Sequence, residues 1–173
     1  ELASGVKGSG GGLTPTGRAV VKRLAERHIV CDLSHLNERG FWEIAAMGLA
    51  PLVATHSNLR SVHDHPRNLT DEQFRAVVAS GGVVGLNFYR DVLGPGALES
   101  VYAHLSRALD LGGEDAVAIG SDFDGAEIEF ALNSVDKTAI LWQYLLDRGL
   151  AEKTLQKFFF NNALRLFGKE EFS

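Results

Sequence analysis

The chain has 173 residues, 45% hydrophobic and 23% charged, enough for one sizeable globular core. Its net charge is −5 and its basic residues do not cluster, which argues against a nucleic-acid surface, since that needs a basic stripe to neutralise phosphates. The single cysteine, Cys31, excludes an internal disulfide and leans toward a reducing, cytoplasmic compartment; no apolar run reaches the ~20 residues of a membrane helix, and the closing GKEEFS carries no apolar tail for a lipid anchor.

In chain order, residues 1–13 read as a glycine-rich loop, with Gly5, Gly8, Gly10, Gly11 and Gly12. Thr14-Pro15 opens a helix, threonine as cap and proline in the first turn, and Val20, Val21, Leu24 and Ala25 share one face. HIVCDLSH at 28–35 is a short apolar strand closing on Ser34-His35. Phe41, Ile44, Ala45 and Met47 predict a helix ending near Gly48. PLVATHSN repeats the earlier design, with Leu52, Val53 and Ala54 followed by Thr55-His56-Ser57. Thr70 with Gln73 forms a capping-box signature for the next helix. GGVVGLNFY is a strand ending in Asn87, and a long helix spans roughly 96–111. AVAIGSDFDG is the fourth strand, ending in Asp122. Ser134 is expected to cap a helix stopped by Gly149, and a last helix runs from about Glu152 to Phe167. Strands alternating with helices imply a parallel sheet, and continuously apolar strands imply cover on both faces.

The polar residues fall in a pattern. Three of the four strands end in a group able to bind a metal or move a proton, namely His35, His56 and Asp122, and the fourth ends in the amide of Asn87. In parallel α/β folds these ends converge on one face, where active sites lie. Two histidines at equivalent strand ends point to metal ligation, because imidazole is a common ligand for zinc and similar ions. Asp122 beside them reads as catalytic or as a group that supports the ligands. Asp124 reads equally as a turn-former or a site residue, and Asp32, inside its strand, as orienting a neighbour or pairing with a cation. In the loop SVHDHPRNLTDE, Arg67 follows Pro66 and suits a substrate carboxylate, with Asn68 next to it as a further substrate-binding candidate. His63 and His65 read as exposed loop histidines, His28 and His104 as lying at helix ends or surfaces, and Cys31 as a core residue. No GxSxG elbow is present, and no strand precedes the GSGGG at 8–12, so a phosphate cradle is not indicated.

Taken together, GLTPTGRAVVKRL, CDLSHL, APLVATHSN, HPRNLTDEQ, GGVVGLNFY and GSDFDG resemble the C-terminal half of the membrane (renal) dipeptidase family of zinc metallopeptidases. The resemblance implies the C-terminal half of a TIM-type (β/α)8 barrel, about four parallel strands with flanking helices over residues 14–173. It implies two Zn2+ ions per complete active site, other divalent ions being acceptable to such ligands. His35 and His56 match two metal ligands. Arg67 matches the arginine that grips the substrate's terminal carboxylate, and Asp122 the acid that binds the substrate amine and moves protons. The implied reaction is hydrolysis of a dipeptide, often with a D-residue at its C-terminal position. Family members are commonly dimers, which makes a homodimer an expectation here too.

The same resemblance implies what is missing. The family's HxD motif, its metal-bridging glutamate and its carbonyl-contacting histidine have no counterpart in these residues. A complete barrel takes ~250 residues. The expectation is therefore a C-terminal segment of a longer dipeptidase, inactive alone, whose metal site is completed by a missing N-terminal half. A half-barrel leaves open sheet edges and is not expected to be stable by itself. Two other readings stay open: a different barrel metallohydrolase acting on a cyclic amide or ester, and a non-catalytic remnant.

Overall fold

A computed structural model describes residues 2–8 and 10–168. Glu1, Ser9 and the terminal 169–173, parts of the expected loop and of the closing GKEEFS, lie outside the described residues. Three parallel strands form the sheet, β1 (Val53–Ala54), β2 (Val83–Leu86) and β3 (Val117–Ile119), in the order β1-β2-β3. The register pairs Val53 with Val83 and Val84 with Val117. The strand expected at 28–33 is reduced to one parallel bridge, Asp32 to Val53, sealed by Leu33 N–H donating to Val53 O at 2.9 Å. It lies at the edge of the sheet, with Ile29 and Val30 55% and 41% exposed, so nothing on its outer side extends the ladder.

The helices follow their caps. α1 (Pro15–Glu26) starts at Thr14, whose hydroxyl accepts from Gly17 N. α2 (Glu38–Ala45) begins three residues before the expected Phe41, because the Asn37 side chain accepts from Gly40 N and caps it there. α3 (Asp71–Ala79) carries the full reciprocal box between Thr70 and Gln73. A short α4 (Arg90–Leu93), not anticipated, precedes α5 (Ala97–Asp110). Ser134 makes no side-chain cap; a 3₁₀ turn at Val135–Lys137 leads instead into α6 (Thr138–Asp147).

The single helix expected over 152–167 is interrupted. α7 (Glu152–Gln156) and α8 (Asn162–Leu166) are joined by a π-turn at Lys157–Asn161. The physical reason lies in Asn162, whose amide donates to Val117 O at 2.7 Å and Glu114 O at 2.9 Å, tying the helix to the start of β3. The core packs helix side chains such as Phe41, Phe74, Val101, Leu105, Leu141 and Phe158 around β2, which is buried along its whole length.

One close approach shapes the upper rim. The carbonyl oxygen of Thr55 lies where side chains on β2 and its neighbour would project: a Cβ at Gly85 would stand 2.1 Å from it, and one at Gly120 2.0 Å. Glycine at both positions lets the chain leaving β1 fold over the sheet, and Ser57 N–H then donates to Gly85 O at 2.8 Å. That path delivers His56 to the rim.

Candidate active site

Across the sheet the residues following the strands are His35, His56, Asn87 and Asp122, all at the C-terminal ends. The structure brings the two histidines together: their Nε2 atoms are 3.0 Å apart and their ring centroids 5.0 Å. Behind them stands Asp32. Its Oδ1 accepts from Ser34 N, Ser34 Oγ and Thr55 N, and its Oδ2 accepts from Thr55 Oγ1 at 2.5 Å. Burial pushes the Asp32 carboxyl up, but these hydrogen bonds from Thr55 and Ser34 outweigh it and hold the group below the usual carboxylate range. Thr55 Oγ1 also lies 2.7 Å from His56 Nδ1, while Ser34 Oγ accepts from His56 N at 3.0 Å. Asp32 thus holds Ser34 and Thr55, and its Oδ2 also lies 3.7 Å from His56 Nδ1.

Arg67 leans over this pair. Its Nη2 lies 3.2 Å from His35 Nε2, and a guanidinium can only donate, so that imidazole nitrogen is the acceptor. Burial lowers His35 below the ordinary imidazole range, with Arg67 and His56 acting in the same sense against Asp122 and Asp32. Burial also pulls Arg67 down, opposed by Asp122 and Asp32. Its Nη1 is buried without a hydrogen-bond partner among the described residues. A buried donor left unmatched is costly unless a ligand satisfies it.

The loop that carries Arg67 is fastened from below. Asn58 and Asn87 exchange two bonds, Asn58 Nδ2 to Asn87 O at 2.9 Å and Asn87 N to Asn58 Oδ1 at 3.0 Å. Asn68, expected to touch substrate, is instead buried and does not line the cavity; its Nδ2 donates to His63 O and Val92 O, each at 2.8 Å, so it holds the loop closed. His65, expected to be merely exposed, is half-buried, lines the cavity and accepts from Arg67 N through Nδ1. His63 is half-buried too and bonds to Asp91 O. His104, expected at a helix end or surface, is fully buried: its Nδ1 accepts from Leu59 N and its Nε2 donates to Leu93 O.

Asp122 reaches the site through its backbone. Its φ of 63° lies in the left-handed region, as does that of Asp124, which aspartate tolerates better than most residues. Asn87 Nδ2 donates to Asp122 Oδ2 at 3.1 Å. Gly125 leaves room for the other oxygen, since a Cβ there would lie 2.6 Å from Asp122 Oδ1. Asp124 is exposed in this turn and does not line the cavity. The opening of about 660 Å³ is lined by His35, Arg67, Asn87 and Asp122, by residues 5–8, and by Tyr89, Asp91 and 125–127. Tyr89, Asp91 and the walls at 5–8 and 125–127 were not singled out from the sequence, because nothing local marks which loop closes on a site.

The donor set fits part of a metal centre. A separation of 3.0 Å is less than twice the ~2.0–2.1 Å zinc–imidazole bond, so one ion can touch both Nε2 atoms. Zinc takes at least three protein ligands in most sites, and no group of three or more His, Cys, Asp or Glu is placed to hold an ion among the described residues.

Comparison with known proteins decides the family. Residues 2–173 match the family of membrane dipeptidases, peptidase family M19. The chain belongs to this family. A dipeptidase from Clonostachys rogersoniana, verJ, is 34% identical over 93% of the chain and 42% of its own length. An uncharacterised protein from the pqqA 5′ region of Klebsiella pneumoniae is 38% identical over 96% of the chain and 66% of its own length. Among solved structures, a metallopeptidase from Rhodobacter sphaeroides, liganded with a phosphinate mimic of the dipeptide L-Ala-D-Ala, superposes with a TM-score of 0.86 at 40% identity. That superposition covers 90% of this chain and 46% of that one, so the chain spans about half of the solved dipeptidases it matches. Its parallel sheet and flanking helices are the C-terminal half of a TIM-type barrel, as its motifs implied. No helix among the described residues is long and apolar enough to cross a membrane.

Proposed function

We propose that this membrane dipeptidase family chain supplies the carboxylate-binding and proton-handling half of a zinc-dependent dipeptidase site, acting with an N-terminal half that completes the metal centre. One observation carries the reading. Two imidazole Nε2 atoms face each other at 3.0 Å, and His35, one of the pair, shares a cavity with the Asp122 carboxylate and with Arg67, whose Nη1 is buried and unmatched among the described residues. His35 and His56 would hold one of two divalent ions, which when bound supply Lewis acidity and lower the pKa of a water at neutral pH.

The chain's own residues would do the rest. Arg67 offers Nη1 and Nη2 to the substrate's terminal carboxylate, and the paired hydrogen bonds fix its orientation. Asp122, held by Asn87, accepts from the substrate's free amine and receives or returns a proton at Oδ1, the oxygen facing Gly125. The walls at residues 5–8 and 125–127 narrow the opening to a short substrate. The phosphinate ligand of the Rhodobacter sphaeroides relative extends the proposal to dipeptides with a D-residue at the C-terminal position.

Arg67→Ala in the intact protein tests it. KM for free dipeptides is expected to rise at least tenfold, while amides or esters lacking a terminal carboxylate are unaffected. An equal effect on both substrate types would favour a different barrel hydrolase, and no hydrolysis of either by the wild type would favour a non-catalytic remnant.

A further inference from the structure

From the bonds around Thr55 we infer that Asp32 and Thr55 act as positioning residues that lock the His56 ring in its Nδ1–H tautomer, leaving Nε2 bare toward His35. The inference deepens the proposed metal reading and rests on it for its purpose, but its geometry stands alone. Thr55 Oγ1 has one proton and two oxygen or nitrogen neighbours, Asp32 Oδ2 at 2.5 Å and His56 Nδ1 at 2.7 Å. An ionised carboxylate only accepts, so the hydroxyl proton goes to Asp32. The opposite choice would set two oxygen lone pairs against each other at 2.5 Å. Thr55 must therefore accept from the other side, and the only proton available there is one on His56 Nδ1.

The neighbouring bonds agree. Asp32 Oδ1 already takes three donors, Ser34 N, Ser34 Oγ and Thr55 N. The Ser34 hydroxyl likewise gives its proton to Asp32 and accepts from His56 N, so both hydroxyls point inward at one carboxylate. The consequence lies across the ring. In a neutral His56 ring the proton on Nδ1 leaves Nε2 without one, and His35 Nε2 is the acceptor from Arg67 Nη2. Two bare nitrogens then face each other at 3.0 Å, an arrangement that repels unless a cation lies near both. A neutral ring held in the ligating tautomer loses nothing to tautomer exchange when an ion arrives, and partners behind a ligand typically change metal affinity 10–100-fold.

The test uses the intact protein with ¹⁵N-labelled histidine, stripped of metal by chelator and held at about pH 8, above the imidazole range. Nitrogen–proton correlation spectra report which ring nitrogen of His56 is protonated in wild type, Thr55→Val, Thr55→Ser and Asp32→Asn. The wild type and Thr55→Ser are expected to show Nδ1–H with a bare Nε2. Thr55→Val is expected to show a mixture or the reverse tautomer, and its zinc affinity, measured by competition with a chelating dye, should fall about 10–100-fold while Thr55→Ser stays near wild type. Circular dichroism checks that the variants fold. A wild-type Nε2–H, or a Thr55→Val spectrum unchanged from wild type, overturns the inference. If the tautomer behaves as expected but wild type binds no zinc, the relay stands and the metal reading of the site falls.

Discussion

His104 carries a charge-state penalty that solution experiments can read. It is completely buried on α5, bridging Leu59 N and Leu93 O, and burial pushes its pKa down to about 4. In the unfolded chain it titrates near the usual ~6.5. The folded value lies below the unfolded one, so the unfolded state takes up the proton first as pH falls. Stability is whole above about pH 6.5 and is lost progressively down to about pH 4. At pH 5 the unfolded histidine is roughly 30:1 protonated while the folded one stays mostly neutral, a loss of about 2 kcal/mol relative to pH 7.5. The full difference approaches about 3 kcal/mol near pH 4. Glutamine reproduces both hydrogen bonds, accepting from Leu59 and donating to Leu93, without titrating. His104→Gln in the intact protein should therefore lose about 2 kcal/mol less than wild type between pH 7.5 and pH 5, measured by urea unfolding at each pH. The comparison cancels His35 and His65, which burial also depresses and which remain in both proteins. Identical pH slopes would refute the burial argument.

Two further outcomes follow from the rim and the surface. Gly125→Ala places a Cβ against Asp122 Oδ1, so the carboxylate must move; kcat/KM for a dipeptide should fall about tenfold or more, while zinc content stays unchanged because the histidine pair is untouched. At the start of α3, the Asp71 carboxyl is pushed up by burial but held below its usual range by hydrogen bonds from Ser61 and from Arg107 on α5. Arg107→Ala should cost about 1 kcal/mol at pH 7, a figure discounted because Arg107 is partly exposed, and the cost should vanish as pH falls below the unfolded carboxylate range near ~4, read as converging unfolding curves.

Much of this architecture is legible from local chemistry. Thr14 before Pro15, and Thr70 with Gln73, cap their helices as their types and spacing predict, because a cap depends only on residues within one turn. The placement of His56 and Asp122 just past β1 and β3 is also legible, since an apolar run that stops on a polar residue marks the end of a buried strand; His35 follows only a single edge bridge. What was not legible depends on distant neighbours. The edge strand at 28–33 shrinks to one bridge because only β1 borders it. The last helix breaks because Asn162 reaches Val117, and Ser134 does not cap because a 3₁₀ turn intervenes. His104 looks like a surface residue until α5 is packed against Leu59 and Leu93. Asn68 looks like a site residue until its amide is seen spent on His63 and Val92. The Asp32–Ser34 bonds are local, but Thr55 lies 23 positions from Asp32 and His56 22 from Ser34, so no spacing rule finds the network.

The central claim is that His35 and His56 serve one ion, and zinc stoichiometry of the purified intact protein tests it most directly. His35→Ala, His56→Ala and the double variant should each lose the same single equivalent, the double no more than either single. Unchanged zinc in the single variants, or losses that add to two equivalents in the double, would contradict it.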